Sequence, residues 1–210
     1  YLLPDISRSM WIEEMPRAHA CLRAAMAFAG IALAQHDRVG VFPFAEDLRP
    51  LMRPRSGWNC LPIFAQALAK LTAGGATHFE RSFKRLGGLQ LRSGLVVVIS
   101  DFFDPAGVEE IVRALKTVRH KLLLVQLVRP SDRDPQLQGD LRLRDCESGL
   151  DQDITVTAQV LSRYREAYDH FAHNLTEFAQ KRRIGLVQLN VERPVVEQIA
   201  TLFEGGRYQA

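Results

Sequence analysis

Three observations predict an α/β fold with a doubly wound, mainly parallel sheet and one added β-hairpin. Short apolar runs alternate with longer stretches of helical period through most of the 210 residues. Leu95-Val96-Val97-Val98-Ile99 and the run from Leu122 to Val128 are nearly unbroken, as strands covered on both faces are. Between about 140 and 156 the rhythm changes to strict alternation, Leu141 and Leu143 with Arg142 and Arg144, then Ile154 and Val156. That is the pattern of a hairpin with one apolar face.

The elements follow in order. Tyr1-Leu2-Leu3 is a strand stub that ends at Pro4-Asp5, and Pro16 suits the first turn of a helix running to about Gln35. On that helix Leu22, Met26, Ala29 and Leu33 make one face, and its alanines allow close approach to a sheet. Arg38 to Phe44 reads as a strand and Leu48 to Met52 as an edge strand, because Pro50 and Pro54 would break a central ladder. Leu61 to Leu71 is a short helix stopped by Gly74-Gly75, and Phe79 to Leu86 is another. After the strand at 95–99 come a helix from Val108 to Val118 and the strand at 122–128. The hairpin turns at Glu147-Ser148-Gly149. A long helix from about Ala158 to Arg183 carries Leu161, Tyr164, Tyr168, Phe171, Leu175 and Phe178 as a core-facing stripe. Leu186 to Leu189 is the last strand, and Val195 to Phe203 a closing helix before Gly205-Gly206. No linker or internal repeat interrupts the chain, so residues 1–210 read as one domain. It starts at Tyr1 and not at methionine, as a piece cut from a longer protein would.

Composition narrows the function by exclusion. The chain is 47% apolar and 24% charged, within the globular range. Its 27 basic residues against 24 acidic ones leave a net charge of +3, too little to argue for nucleic acid or a membrane surface. Cys21, Cys60 and Cys146 are few, odd in number and far apart, which suits reduced thiols in the cytoplasm. No uncharged apolar run is long enough to cross a membrane, and no signal peptide is visible.

Ligands of open α/β sheets bind at the carboxyl ends of the strands, so the polar residues there carry the functional argument. Asp5-x-Ser7-x-Ser9 follows the first strand; in an extended loop the three side chains project from one side. Asp101 follows the buried strand at 95–99, and Thr77 lies in the loop after Gly74-Gly75. Two carboxylates and three hydroxyls, with no thiolate or imidazole, form the donor set a hard divalent cation prefers. Two negative charges at most neutralise Mg²⁺, so the ion keeps an attraction for an outside carboxylate or phosphate.

In order and position, Asp5, Ser7, Ser9, Thr77 and Asp101 resemble the metal-ion-dependent adhesion site of von Willebrand factor A-type domains. Ser9-Met10-Trp11, Asp37-Arg38-Val39-Gly40-Val41, Gly74-Gly75-Ala76-Thr77, Val98-Ile99-Ser100-Asp101-Phe102 and Leu143-Arg144-Asp145 with Glu147-Ser148-Gly149 narrow the resemblance. They are similar to the bacterial family named domain of unknown function fifty-eight, whose genes often neighbour those of MoxR-type AAA+ ATPases. The resemblance implies a non-enzymatic adaptor in protein maturation or assembly. It implies direct coordination of Mg²⁺, or of Mn²⁺ or Ca²⁺, by Ser7, Ser9 and Thr77, with Asp5 and Asp101 acting mostly through water. A partner's acidic side chain, from the ATPase or its client, would complete the shell. Full-length relatives carry an N-terminal region, often with hydrophobic segments able to anchor the protein to a membrane, that is not part of this sequence. Two positions depart from the family pattern: Pro4 precedes Asp5, and His78 follows Thr77.

Trp11, Trp58 and His78 are candidate partner contacts around this loop. His170 and His173 are three apart on the long helix without a third ligand, and read as a solvated face. A weaker resemblance is to haloacid dehalogenase-type phosphatases, with Asp5 as nucleophile and Mg²⁺ as cofactor. Those enzymes need an acidic residue two positions on, where this chain has Ser7, which cannot serve as a general acid near neutral pH. Asp104, before Pro105, reads as the cap of the helix that follows.

Overall fold

A computed structural model describes residues 1–12, 16–146 and 149–204. Its strands are β1 (Leu2–Pro4), β2 (Val39–Val41), β3 (Met52–Arg55), β4 (Leu95–Ser100), β5 (Lys121–Val128), β6 (Gly139–Arg144), β7 (Asp151–Val156) and β8 (Gly185–Asn190). Six of them form one sheet in the order β3-β2-β1-β4-β5-β8, and β6 and β7 form a separate antiparallel hairpin. Every neighbour in the main sheet is parallel except the edge strand β3. The turn residues Glu147-Ser148 and the stop at Gly205-Gly206 lie outside the described residues.

The helices are α1 (Pro16–Ala34), α2 (Leu61–Leu68), α3 (Phe79–Gly88), α4 (Val108–Lys116), the single turn α5 (Pro130–Arg133), α6 (Ala158–Arg182) and α7 (Val195–Glu204). Alternation along β4 explains the layers. Val97 and Ile99 point into a core shared with α1, α2 and α7, while Val96 and Val98 point into one shared with α3, α4 and α6. The chain winds from β1 outward to β3 and then returns to β4 on the other side of β1. The carboxyl edge between β1 and β4 is therefore the topological switch point, where such sheets bind ligands.

Local chemistry explains where the sequence pattern and the structure differ. On α1 the buried side is Ala18, Cys21, Ala24, Ala25, Phe28, Ala29 and Leu33, while Leu22 and Met26 are only half-buried. The helix lies so close to the sheet that small residues take the contact and the larger ones flank it. The edge strand begins at Met52, four residues later than the pattern implied, because Leu48 turns inward, fully buried, and makes only a bridge to Phe44. Pro54 sits in β3 itself, tolerated because β3 is an edge. α2 stops at Leu68, before the glycines.

Pro4 is accommodated in a central strand because its missing donor falls on the β2 side. There the ladder continues with the Phe44 N–H on the Pro4 carbonyl, and toward β4 the Asp5 N–H reaches the Ile99 carbonyl at 2.9 Å. The long aromatic stripe is core-facing only in its second half. Leu175 and Phe178 are buried, but Tyr164 is 43% exposed, its hydroxyl donating to the Asp132 carbonyl beside α5. Among the described residues no helix is long and apolar enough to cross a membrane.

Candidate functional site

The Asp5 carboxylate shapes its own loop. One oxygen accepts the Ser7 N–H at 2.8 Å and the other the Ser100 hydroxyl at 2.6 Å. The loop is not extended as far as Ser9: a 3-10 turn covers Arg8–Trp11. The tight turn after Asp5 followed by this 3-10 turn still brings the Ser7 and Ser9 hydroxyls to 3.0 Å from each other. The Thr77 loop is laced against the same segment, the Gly74 N–H on the Ile6 carbonyl and the Arg8 N–H on the Gly75 carbonyl, both at 2.7 Å. This explains the paired glycines, which do not stop a helix. A Cβ on Gly74 would sit 3.0 Å from Ala45 and Ile6 atoms, and Gly75 has φ +102°. Thr77 is buried at this edge, and the next helix is fixed by Asp104, which accepts the Phe79 N–H at 3.0 Å. Asp104 thus serves the start of α3, while Gly107 occupies the cap position of α4, contrary to the sequence expectation.

Asp101 is held at the end of β4 by a strained turn. Phe102, buried and not glycine, adopts φ +62°; its N–H bonds the Ser100 hydroxyl at 2.8 Å, and the Phe103 N–H bonds Asp101 at 3.1 Å. Two residues of this cluster escaped the sequence reading. Ser100 links Asp5 to the Phe102 backbone, and its position one before Asp101 was the available signal. Arg17, from the first turn of α1, is buried; its Nε lies 3.5 Å from Asp101 and its Nη2 bonds Asp132. Nothing in the local pattern marks Arg17, because it reaches the site only through helix packing. Asp132 in turn accepts the Arg129 N–H at 2.8 Å.

Asp5, Asp101 and Asp132 are thus three buried or nearly buried carboxylates, and the Arg17 guanidinium lies between the last two. Burial, and then the nearby Asp5 charge, push Asp101 up from 3.8 to about 7, against the pull of Arg17 and the Phe103 N–H; Asp132 pushes in the same direction as Asp5. Burial and the same two aspartates, Asp5 and Asp101, raise the Cys21 thiol, whose sulfur lies under the Asp5 and Ile99 carbonyls. A carboxyl raised in the folded state contributes stability below its unfolded pKa and loses it as pH rises through the folded one. In chelator, the domain is therefore expected to lose stability between about pH 4 and pH 7. Denaturant titrations across that window should show a shallower fall for Asp101→Asn; an identical slope would refute the assignment.

The outlying candidates fall in different places. Trp11 packs half-buried on the α1 core, its indole N–H without a hydrogen-bond partner among the described residues. Trp58 is 57% exposed, but it follows β3, whose last residue Arg55 pairs with Val39 at the start of β2. Trp58 therefore stands at the amino edge of the sheet, away from Asp5, and is not a contact beside this loop. His78 is exposed next to Thr77, and His170 and His173 are exposed on α6. As a nucleophile Asp5 is poorly disposed, since it is 1% exposed with both oxygens engaged. Among the described residues no group of three or more His, Cys, Asp or Glu could hold a metal. The mixed set of two carboxylates and three hydroxyls fits a hard cation in donor type, and the excess buried negative charge fits it in sign.

One sheet between two helical layers, with an antiparallel edge and a switch point between β1 and β4, gives a von Willebrand factor A-like fold. Residues 1–174 match the family described as "Protein of unknown function DUF58", and the chain belongs to that family. It is 32% identical over 76 residues to an uncharacterized protein of Mycobacterium avium, a stretch covering 36% of this chain and 44% of that protein. The chain thus spans less than half the length of this relative. Two solved structures share the fold at 14% identity: the conserved hypothetical protein BatB of Bacteroides thetaiotaomicron and an aerotolerance-related membrane protein of Bacteroides fragilis. The first has a TM-score of 0.55 over 98% of this chain and 96% of that one; the second, 0.57 over 99% and 98%.

Proposed function

We propose that this domain is a protein-interaction module, and that its contact is made through a divalent cation at the carboxyl edge between β1 and β4. The observation that carries the reading is the Ser7 and Ser9 hydroxyl pair, 3.0 Å apart, in the loop turned by buried Asp5, with buried Asp101 at the end of the adjacent strand β4. Two carboxylates buried near each other repel and are poorly solvated, a cost that a cation between them offsets. Ser7, Ser9 and Thr77 hold the ion directly, and Asp5 and Asp101 orient its waters. The ion, Mg²⁺ or Mn²⁺, supplies an open position with residual positive charge for a partner's carboxylate. The partner to test first is a MoxR-type AAA+ ATPase or its client, encountered in the cytoplasm.

Two experiments test this reading. Calorimetric titration of Mg²⁺ and Mn²⁺ should give saturable binding, and an acidic partner captured by the immobilised domain should be released by chelator. Matching null traces from the parent and an Asp5→Ala/Ser7→Ala variant would remove the metal from the reading. Turnover of a generic phosphomonoester with Mg²⁺, abolished by Asp5→Asn, would replace the adaptor with an enzyme.

A further inference from the structure

We propose that Arg17 is the resident counter-charge of this site and sets its affinity for the divalent cation. The inference rests on the metal reading above and assigns a role to a residue outside the ligand set. Arg17 is buried, and a guanidinium stays charged at any pH a protein tolerates, so its positive charge is permanent. Its two contacts are unequal. Nη2 makes a direct hydrogen bond to Asp132, whose second oxygen is itself fixed by the Arg129 N–H at 2.8 Å. Nε faces Asp101 at 3.5 Å, and among the described residues that buried nitrogen has no hydrogen-bond partner.

Arg17 is therefore anchored on Asp132 and only leans on Asp101. In the metal-free domain its charge partly neutralises Asp101. When a cation takes Asp101, the firm bond to Asp132 keeps Arg17 from becoming a buried, unpaired charge, which would be severely destabilising. The arrangement makes Asp101 available, and the remaining repulsion between Arg17 and the ion holds the affinity down. Because Asp132 lies in α5 and its carbonyl accepts the Tyr164 hydroxyl of α6, the pair also ties the site to those helices.

Opposite charge changes at the two ends of this pair should move cation affinity in opposite directions, which a purely structural role would not do. Mn²⁺ is titrated into the parent, Arg17→Met, Arg17→Lys and Asp132→Asn by calorimetry, with the Mn²⁺-induced rise in melting temperature as a second readout. Arg17→Met is expected to bind about tenfold more tightly and Asp132→Asn about tenfold more weakly. Arg17→Lys, which keeps the charge, should stay close to the parent. If Arg17→Met does not fold in chelator, the weakening in Asp132→Asn and the parent-like Arg17→Lys still decide the matter. A binding parent with both neutralising variants weakened, or neither changed, overturns the role of Arg17. No response in any of the four proteins is a distinct result that overturns the metal reading itself.

Discussion

Phe79→Ala is expected to destabilise the domain by about 3–5 kcal/mol, the largest loss from any single side chain near the site. Phe79 is fully buried, stacks on Phe83 and Phe102 with ring centres 5.6 and 5.8 Å away, and meets Phe44 edge-on at 5.2 Å. Truncation leaves a cavity that three rigid rings cannot close, so the lost transfer energy and the void add. The damage is also local to function. Thr77 is two residues upstream, and Phe102 is the left-handed residue that turns the chain after Asp101. Urea unfolding should show a lower midpoint with an unchanged slope. Phe79→Leu should recover more than half of the loss, and a midpoint shift below about 1 kcal/mol for the alanine variant would refute this packing account.

Asp5→Asn is expected to have the largest functional effect: loss of all stabilisation by Mg²⁺ or Mn²⁺, with no loss of stability in chelator. For the parent, a cation at a hundredfold excess over its Kd adds about 2.7 kcal/mol. The asparagine variant should show none of it. In chelator the two effects of the change oppose each other. The amide oxygen can still accept the Ser7 N–H, while the charge that pushes Asp101 upward is gone. The variant should therefore melt at or above the parent without metal and below it with metal, and this crossing of the curves is the signature to measure. A variant that melts lower in both conditions would mean Asp5 is a structural turn residue alone.

Part of the candidate site was legible in the sequence because Asp5 and Asp101 directly follow apolar runs, and such runs identify strand ends. Ser7 and Ser9 were reached from their alternation after Asp5, and Thr77 from its loop after Gly74-Gly75 and the family resemblance. How they converge was not legible. An extended loop would have aligned residues 5, 7 and 9, yet the chain turns at Asp5 and winds into a 3-10 turn, bringing Ser9 back to Ser7. Hydrogen bonds to a side chain override local extension, and periodicity carries no record of them. Trp58 was misplaced for a related reason, since an edge strand of reversed direction sends the following residues to the far end of the sheet.

By itself the sequence determined that this chain is a doubly wound α/β domain with a hairpin, and which residues stand at its strand ends. Hydrophobic period encodes both, because burial on one or two faces is a local demand repeated along each element. Only the tertiary structure decided the electrostatics of the site: Ser100 bridging Asp5 to the next turn, and Arg17 arriving from α1 between Asp101 and Asp132. These contacts join residues 95, 84 and 115 positions apart. They exist because packing, and no pattern in the chain, sets which charges share a buried space.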